Sequence, residues 1–410
     1  MNEHQPDPHL GINAVSLLSP LTGIGQYTLN LALELQKNPT LSLSYFYGPF
    51  WSERLYISEQ QVQQTAQQLK ATRRSKVLPS VVTSIKQVVK AVIPYPYEVA
   101  RFLQQRAFSK GAKDRRIMLY HDPNFIPYQF DGPVVITIHD LSVLKHPETH
   151  PEDRIRAIGQ RLPDAVKRAD AIIAVTDSTR QEIIATFGLS PDKVVAIHNG
   201  VGRHFRPLSQ AETAVVLHPH QLTHKGYILN VGTLEPRKNL IRLARAYRSL
   251  PAVLRDRYPL VIVGMKGWHH DSIEQELGPL IRSGHARLPG YIPAEALPAL
   301  YAGAAMLVYP SLYEGFGLPL VEAMASGTPV ITSNRSSMPE VVGNAGILVE
   351  PEDETMIAEA IQRLLEDNNE ALRLQQQGLE RVQQFTWERC AQQTLAVYRQ
   401  VLQSTGTTPA

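Results

Sequence analysis

The chain has 410 residues, of which 43% are apolar and 19% charged, with a formal net charge of +3. That length exceeds one ordinary hydrophobic core and points to a two-domain α/β protein, and the mild positive balance permits an anionic ligand or lipid surface without requiring nucleic acid. Cys390 is the single cysteine, which excludes an intrachain disulfide and suits a reducing compartment. No basic and apolar leader pattern precedes Gly11, and no apolar run reaches the roughly 18 residues that span a bilayer, so a soluble or peripheral protein is expected.

Leu10 to Val15 reads as a first strand, followed by a loop with Gly23 and Gly25 that opens a helix marked by Tyr27, Leu31 and Leu35. Such a glycine pair lets backbone approach a phosphate or an incoming hydroxyl, or simply makes a turn. From Trp51 to Arg116 the composition changes. Gln-rich helical sequence gives way to Arg73, Arg74, Lys76, Lys86, Lys90, Arg101, Arg106, Lys110, Lys113, Arg115 and Arg116, interleaved with Val77, Leu78, Val81, Ile85, Val88 and Phe102. Two readings stand side by side: basic amphipathic helices against an anionic membrane through about 73–116, or a solvated helical insertion with one apolar side on the core.

Ile117 to Tyr120 and Val134 to Ile138 are further strands, ending at His121-Asp122 and His139-Asp140. Ligands of open parallel sheets bind at the carboxyl ends of strands, so His121 and His139 are candidates for one cleft, the alternative being structural histidines. Ala171 to Val175 leads into Thr176-Asp177-Ser178, which offers N-cap side chains to a helix reaching Phe187. Lys193 to Ile197 ends at the tight turn Asn199-Gly200, and the Pro- and His-rich stretch from Arg203 to His224 has no sustained period, which places the domain boundary there.

The second half begins with a strand from Tyr227 to Val231, then Gly232-Thr233-Leu234-Glu235-Pro236-Arg237-Lys238-Asn239 before a helix. Arg237 and Lys238 can neutralise a diphosphate at that strand-to-helix loop, or serve as surface cations beside Glu235. Leu260 to Val263 and Arg287 to Gly290 give two more strand ends. Tyr291 follows, with burial in the core as one reading. The central stretch is Tyr309 to Gly327. An apolar strand from Ala304 stops at Pro310-Ser311, Glu314-Gly315-Phe316-Gly317 forms a loop, and Leu318 to Ala325 continues with helical spacing. Unpaired N–H groups at that helix start favour polar or anionic oxygens, and Glu314 and Glu322 frame the loop. Pro329 to Thr332 and Ile347 to Val349 complete the strands, and helical sequence runs from about Glu352 to Leu402.

Glu-x7-Glu enclosing Gly-Phe-Gly-Leu-Pro, followed by Glu-Ala-Met-Ala-Ser-Gly-Thr-Pro-Val-Ile, resembles the nucleotide-sugar motif of retaining glycosyltransferases of the GT-B fold, family 4. The resemblance runs from about Gly11 to Leu402, with little of it between Trp51 and Arg116. It implies two Rossmann-like, doubly wound domains facing across a cleft. The acceptor-side domain would be 1–205, carrying a basic insertion at about 51–116, the nucleotide-sugar domain 206–386, and a C-terminal helix at 387–410 would return to the first domain. Within that family pattern, His139 lies between acceptor and donor sugar, with Asp140 and His121 on the acceptor side. Gly23, Gly25, Gly232, Arg237 and Lys238 meet the diphosphate, Tyr291 the base, and Glu322 the ribose. Glu314 with the amides of Gly315, Phe316, Gly317 and Leu318 holds the sugar. The arginine common directly after the loop glycine is Thr233 here, with Arg237 as the candidate substitute.

His-Asp-Leu with Lys-His-Pro-Glu, and Glu-Pro-Arg-Lys-Asn later, look most like bacterial O-antigen mannosyl- or rhamnosyltransferases. A GDP-sugar donor and a hydroxyl of a lipid-linked cell-surface glycan are therefore expected, for a protein in the cytoplasm or peripheral on the inner face of the cytoplasmic membrane. No Asp-x-Asp pair or close His/Cys cluster suggests a metal, so no cofactor and no divalent ion are expected. Alternatives are the same transfer from a UDP-sugar, a GT-B epimerase or phosphorylase, a non-catalytic sugar-nucleotide scaffold, and a membrane-surface or nucleic-acid-binding module built on the basic insertion.

Overall fold

The computed structural model describes residues 8–18, 21, 23–57, 96–268 and 270–406. The first sheet comprises β1 (His9–Asn13), β2 (Ser42–Phe46), β3 (Trp51–Ser52), β4 (Leu119–Asp122), β5 (Val134–Ile138), β6 (Ala171–Ala174) and β7 (Val194–Ala196), in the order β3-β2-β1-β4-β5-β6-β7. β1 runs parallel to both β2 and β4, β4 parallel to β5, and β3 is an antiparallel edge on β2. Trp51 therefore belongs to the sheet, although its composition reads as the start of the basic segment. Its ring is buried against Phe46 and Phe108, and its indole N–H donates to the Phe108 carbonyl at 3.1 Å.

Phe108 comes from the helix Pro96–Asp114, and Gly111 of the same helix is what lets it close on the indole: a Cβ there would lie 2.3 Å from Trp51 Cδ1. On that helix Phe102 and Leu103 are exposed, and the Arg106 guanidinium lies 5.6 Å over the Phe102 ring. The expected cations from Arg73 to Lys90 and their apolar neighbours lie outside the described residues.

The second sheet comprises β8 (Ile228–Val231), β9 (Leu260–Val263), β10 (Ala286–Gly290), β11 (Met306–Tyr309), β12 (Val330–Ser333) and β13 (Gly346–Val349), ordered β10-β9-β8-β11-β12-β13 and parallel throughout. Its strands are apolar on both faces because both faces are covered. Ile228, Leu260, Ile262, Met306 and Val308 enter one core with Leu240, Leu243, Tyr247 and Ile361, while Leu229, Val261, Val263, Leu307 and Tyr309 enter the other with Leu300, Leu320 and Phe385. Alternate residues go to opposite sides, as a period of two requires. Helices on both faces of a parallel sheet make this half doubly wound.

By packing, the chain divides into one compact unit of Met1–Ile138, Leu162–Ile173 and Gln393–Ala410 and another of His139–Arg161 and Ala174–Gln392. The last helix, Trp387–Ser404, begins in the second unit and ends in the first. In the first unit its Tyr398 hydroxyl lies 2.6 Å from His121 Nδ1. Among the described residues no helix is long and apolar enough to cross a membrane.

Candidate functional site

In the second sheet the strand order reverses between β8 and β11, so the loops leaving these two strands diverge and open a crevice at their carboxyl ends. The loop after β8 carries Arg237 and Lys238, and the loop after β11 carries Glu314. Asn239 fixes the first loop: at φ 59° it ends the turn Pro236–Lys238 and starts the helix Leu240–Ser249, while its amide donates to the carbonyls of Pro310 and Pro351 at 3.0 and 2.6 Å. The Leu312 N–H donates to the Arg237 carbonyl at 2.9 Å and ties the two loops together.

This brings the charged groups into one buried cluster. Lys238 Nζ donates to Glu314 Oε1 and to the Tyr309 hydroxyl, each at 2.6 Å, and that hydroxyl donates to the same carboxylate oxygen at 2.9 Å. Arg237 donates to Glu314 Oε2 at 2.8 Å, to the Tyr313 carbonyl at 2.7 Å and to Glu235 Oε1 at 2.6 Å. Burial alone would raise the Glu314 carboxyl, but the two cations outweigh it and hold it at about 2. Burial likewise works against charge on Arg237 and Lys238. For Arg237 the carboxylates of Glu314 and Glu235 win and keep it well above its ordinary value, whereas Lys238 stays lowered despite Glu314. An ammonium has three hydrogens and a guanidinium five. One hydrogen on Lys238 and two on Arg237, including the buried Nε–H, therefore remain beyond these protein contacts. Three cationic donors held at a sheet switch point suit the oxygens of a diphosphate. Gly232 stands beside them, a Cβ there meeting Lys238 Cε at 3.4 Å, an ordinary contact.

Beyond Glu314 the loop is shaped by its own carbonyls. Ser336 and Ser337 donate to the Glu314 carbonyl at 2.5 and 2.8 Å, and Thr176 and Thr179 donate to that of Gly315 at 2.9 and 3.2 Å. Those two carbonyls are taken by the protein; at the start of the helix Leu318–Ala325 Pro319 has no N–H and the Leu320 N–H donates to the Gly317 carbonyl at 2.9 Å, which leaves the N–H groups just before them, up to Leu318, as the backbone donors of the loop. Gly317, at φ 94°, is the N-cap, a left-handed conformation that glycine adopts without strain, and Pro319 falls in the first turn. The Phe316 side chain is buried against Phe385 at 5.7 Å, so only its backbone is available to a ligand. Glu322 accepts from the Tyr301 hydroxyl at 2.7 Å. Burial raises its carboxyl to about 7, a shift that this one hydrogen bond offsets only in part.

His139 follows β5 directly, and its backbone packs on the same loop. A Cβ at position 315 would lie 1.7 Å from the His139 carbonyl oxygen and 3.0 Å from Asp140 Cβ, so only glycine permits the approach. The Tyr313 hydroxyl accepts from the Leu141 N–H at 3.2 Å and donates to Glu182 at 2.5 Å. Glu340 accepts from the N–H groups of Asp177 and Ser178 at 2.8 and 2.9 Å and pairs with His198 at 2.6 Å, capping from a distance the helix Asp177–Phe187.

Arg237, Lys238, Glu314 and the segment Gly315–Leu318 thus stand together with Gly232, His139 and Asp140, and Glu322 lies on the helix that follows. β4 runs through Asp122 rather than stopping at Tyr120, so His121 sits inside the sheet, fully buried, with its ring nitrogens on Tyr398 and Thr137, an interior position in place of the open cleft edge expected for it. Tyr291 is 59% exposed, which removes the core alternative for it. Gly23 and Gly25 form the first turn of the helix Gly23–Leu35 in the first unit. Tyr309, Tyr301, Ser336, Ser337 and Glu340 carry much of the geometry, and only Tyr309, as the last residue of an apolar strand, had a position legible from spacing. Among the described residues no group of three His, Cys, Asp or Glu side chains is placed to hold a metal ion.

Residues 219–381 match the family described as Glycosyl transferases group 1, and residues 21–204 match Glycosyltransferase Family 4. O-antigen chain mannosyltransferase B of Escherichia coli is 37% identical over 93% of this chain and 96% of its own length. O-antigen chain mannosyltransferase RfbU of Salmonella typhimurium is 30% identical over 56% of this chain and 60% of its own. In three dimensions the chain is similar to a sucrose-phosphate synthase from Thermosynechococcus elongatus, with a TM-score of 0.73 at 22% identity, covering 97% of this chain and 100% of that one, a likeness of fold. With a full-length relative at that identity and both halves matched, the chain belongs to the family 4, group 1 glycosyltransferases of the GT-B fold.

Proposed function

We propose that the protein transfers a mannosyl residue from GDP-mannose, with retention of anomeric configuration, to a hydroxyl of a growing, lipid-linked cell-surface glycan. The observation that carries this reading is the buried cluster of Glu314 with Arg237 and Lys238 at the switch point of the second sheet. It supplies cationic donors for a diphosphate and, one residue later, backbone amides for the sugar. The names of the Escherichia coli and Salmonella relatives support mannose and an O-antigen-type acceptor.

In this reading Arg237 and Lys238 face the diphosphate, and Gly232, Gly23 and Gly25 serve it through their backbone. Glu322 takes the ribose hydroxyls and Tyr291 the base. Glu314 and the amides of Gly315 to Leu318 hold the sugar, and His139 and Asp140 stand beside the reacting carbon. The oxygen of the acceptor hydroxyl forms its bond to the anomeric carbon on the face that the diphosphate leaves. As the carbon–oxygen bond to phosphate breaks, its electron pair stays on the phosphate oxygen, which takes the acceptor's proton. No separate base is then needed, and the charge that grows on the diphosphate meets groups already in place. Domains of 1–205 and 206–386 with a C-terminal helix at 387–410, the protein's own cations acting in place of a divalent ion, and a peripheral contact of the basic segment with anionic lipid belong to the same proposal.

Release of GDP from GDP-mannose on addition of lipid-linked glycan, with nuclear magnetic resonance of the product anomer, tests the reading. An α-linked mannose is expected. A β-linked product, or GDP release that the glycan leaves unchanged, overturns it.

A further inference from the structure

The segment from His139 to Arg161 carries a hydrogen-bonded chain that links Asp140 to two residues the transfer reading does not use, Ser142 and His150. Ser142 donates to Asp140 Oδ1 through both its backbone N–H, at 2.8 Å, and its hydroxyl, at 2.6 Å. A serine hydroxyl has one hydrogen. With that hydrogen given to Asp140, Ser142 Oγ must accept from His150 Nε2, which lies 2.9 Å away. Nε2 therefore carries the proton, and in a neutral imidazole Nδ1 is then an acceptor. The ring is held neutral: burial, then the nearby cations Arg154 and Arg237, lower it to about 4 against the opposing pull of Asp140 and Glu148. His150 is 5% exposed, and its Nδ1 is a buried acceptor without a hydrogen-bond partner.

Both ends of this arrangement lead to the loops of the site. Asp140 packs on Gly315, as described above. On the other side the His150 ring lies 5.6 Å from that of Trp268, whose indole N–H donates to the Thr149 carbonyl and whose face is covered by Arg154 at 5.3 Å. Gly267 holds that tryptophan to the loop after β8, for a Cβ at 267 would lie 2.7 Å from Thr233 Cγ2 and 2.8 Å from the Leu234 carbonyl oxygen. His150 is thus tied to the loop assigned to the donor sugar and to the loop assigned to the diphosphate. A buried acceptor calls for a donor. Phosphate oxygens would set lone pair against lone pair, whereas a sugar hydroxyl can donate.

We propose that His150 Nδ1 accepts a hydrogen bond from a hydroxyl of the donor's hexosyl group, which makes His150 a specificity-determining residue that reads the sugar and not the phosphates. This rests on the nucleotide-sugar reading above. Two substitutions separate the ring's two nitrogens. His150→Gln sets an amide nitrogen near the place of Nε2, keeping the Ser142 contact and losing the Nδ1 acceptor. His150→Asn keeps an acceptor near the place of Nδ1 and gives up Ser142.

Calorimetric titration of the full chain with GDP-mannose and, separately, with GDP gives the ratio of the two affinities. Relative to wild type, His150→Gln is expected to lower that ratio about tenfold, the scale of one hydrogen bond to a buried group, while His150→Asn retains most of it. An unchanged ratio in His150→Gln overturns the proposal. So does loss of the ratio in His150→Asn with His150→Gln intact, which would make the ring a support for Ser142. Parallel loss of GDP and GDP-mannose binding in both variants likewise marks a structural role and overturns it. Wild-type protein that binds neither probe overturns the donor reading, and the sugar contact with it.

Discussion

Glu314 and Lys238 form a buried ion pair at 2.6 Å, and the Tyr309 hydroxyl bridges the same two groups. A ligand of these cations therefore meets groups already fixed by the protein, and the carboxylate that orients them also holds up the fold. Removing one partner of a buried pair leaves the other charge uncompensated. Glu314→Ala is expected to lower stability by about 3–5 kcal/mol as well as transfer. Urea denaturation followed by circular dichroism measures the first effect, and a loss below about 1 kcal/mol, the scale of an exposed pair, would contradict the buried cluster.

The low pKa of Glu314 gives that stability a pH dependence. Its ordinary value is 4.5 and its folded value about 2, so the stabilisation is fully present above about 4.5 and is lost as pH falls towards 2. The shift corresponds to roughly 3 kcal/mol. Thermal melting between pH 5 and pH 3 should show wild type losing stability more steeply than Glu314→Gln. Parallel curves would show that Glu314 is not held ionised by Arg237 and Lys238.

Glu322 behaves in the opposite sense. Burial raises it to about 7, so near neutrality it passes from a carboxylic acid to the carboxylate that a pair of ribose hydroxyls requires. Donor affinity is expected to level off by about pH 8 and to lie about tenfold lower at pH 6, and Glu322→Gln should bind weakly with no such dependence. Because its folded value lies above 4.5, Glu322 also costs stability as pH rises from 4.5 to 7, a cost that Glu322→Gln removes. A donor affinity that does not change between pH 6 and pH 8 in wild type would contradict the ribose assignment.

Gly315→Ala tests the packing of His139 on the loop. The added methyl would lie 1.7 Å from the His139 carbonyl oxygen, so the backbone must move, at a cost of about 1–3 kcal/mol or more and with loss of transfer. Gly188→Ala is the control: its φ is 62°, but nothing lies within 4 Å of the new methyl, so about 1 kcal/mol from backbone conformation alone is expected, with transfer intact. Equal effects of the two substitutions on melting and turnover would contradict the close approach.

The parallel strands of the second half were legible to within two residues, because most are short, largely apolar runs ending at Gly, Pro or a polar turn; β10, Ala-Arg-Leu-Pro-Gly, is the exception. β9 is an instance: the run Leu260–Val263 before Gly264 is the strand found. β2 was not legible, since Ser42-Leu43-Ser44-Tyr45-Phe46 mixes serines with apolar residues and its pairing with β1 is set by packing far along the chain. The strand β4 extends two residues past its apolar run, and that extension alone moves His121 from a loop into the sheet. In the site, the glycines and charges could be placed from their position at strand ends. The clamp of Lys238 and Arg237 on Glu314 could not, because residues 76 and 77 positions apart meet only through the strand order. Tyr301, which holds Glu322, and Glu340, which caps a helix 163 residues before it, have no local signal at all.

The most direct measurement is calorimetric titration, with EDTA present, of GDP-mannose, GDP-rhamnose, UDP-glucose and ADP-glucose into wild type and into Lys238→Ala. Selective binding of GDP-mannose by wild type, weakened at least tenfold in Lys238→Ala, is the expected result. Binding by none of the four, preference for UDP-glucose, or unchanged affinity in Lys238→Ala would contradict the proposed donor site.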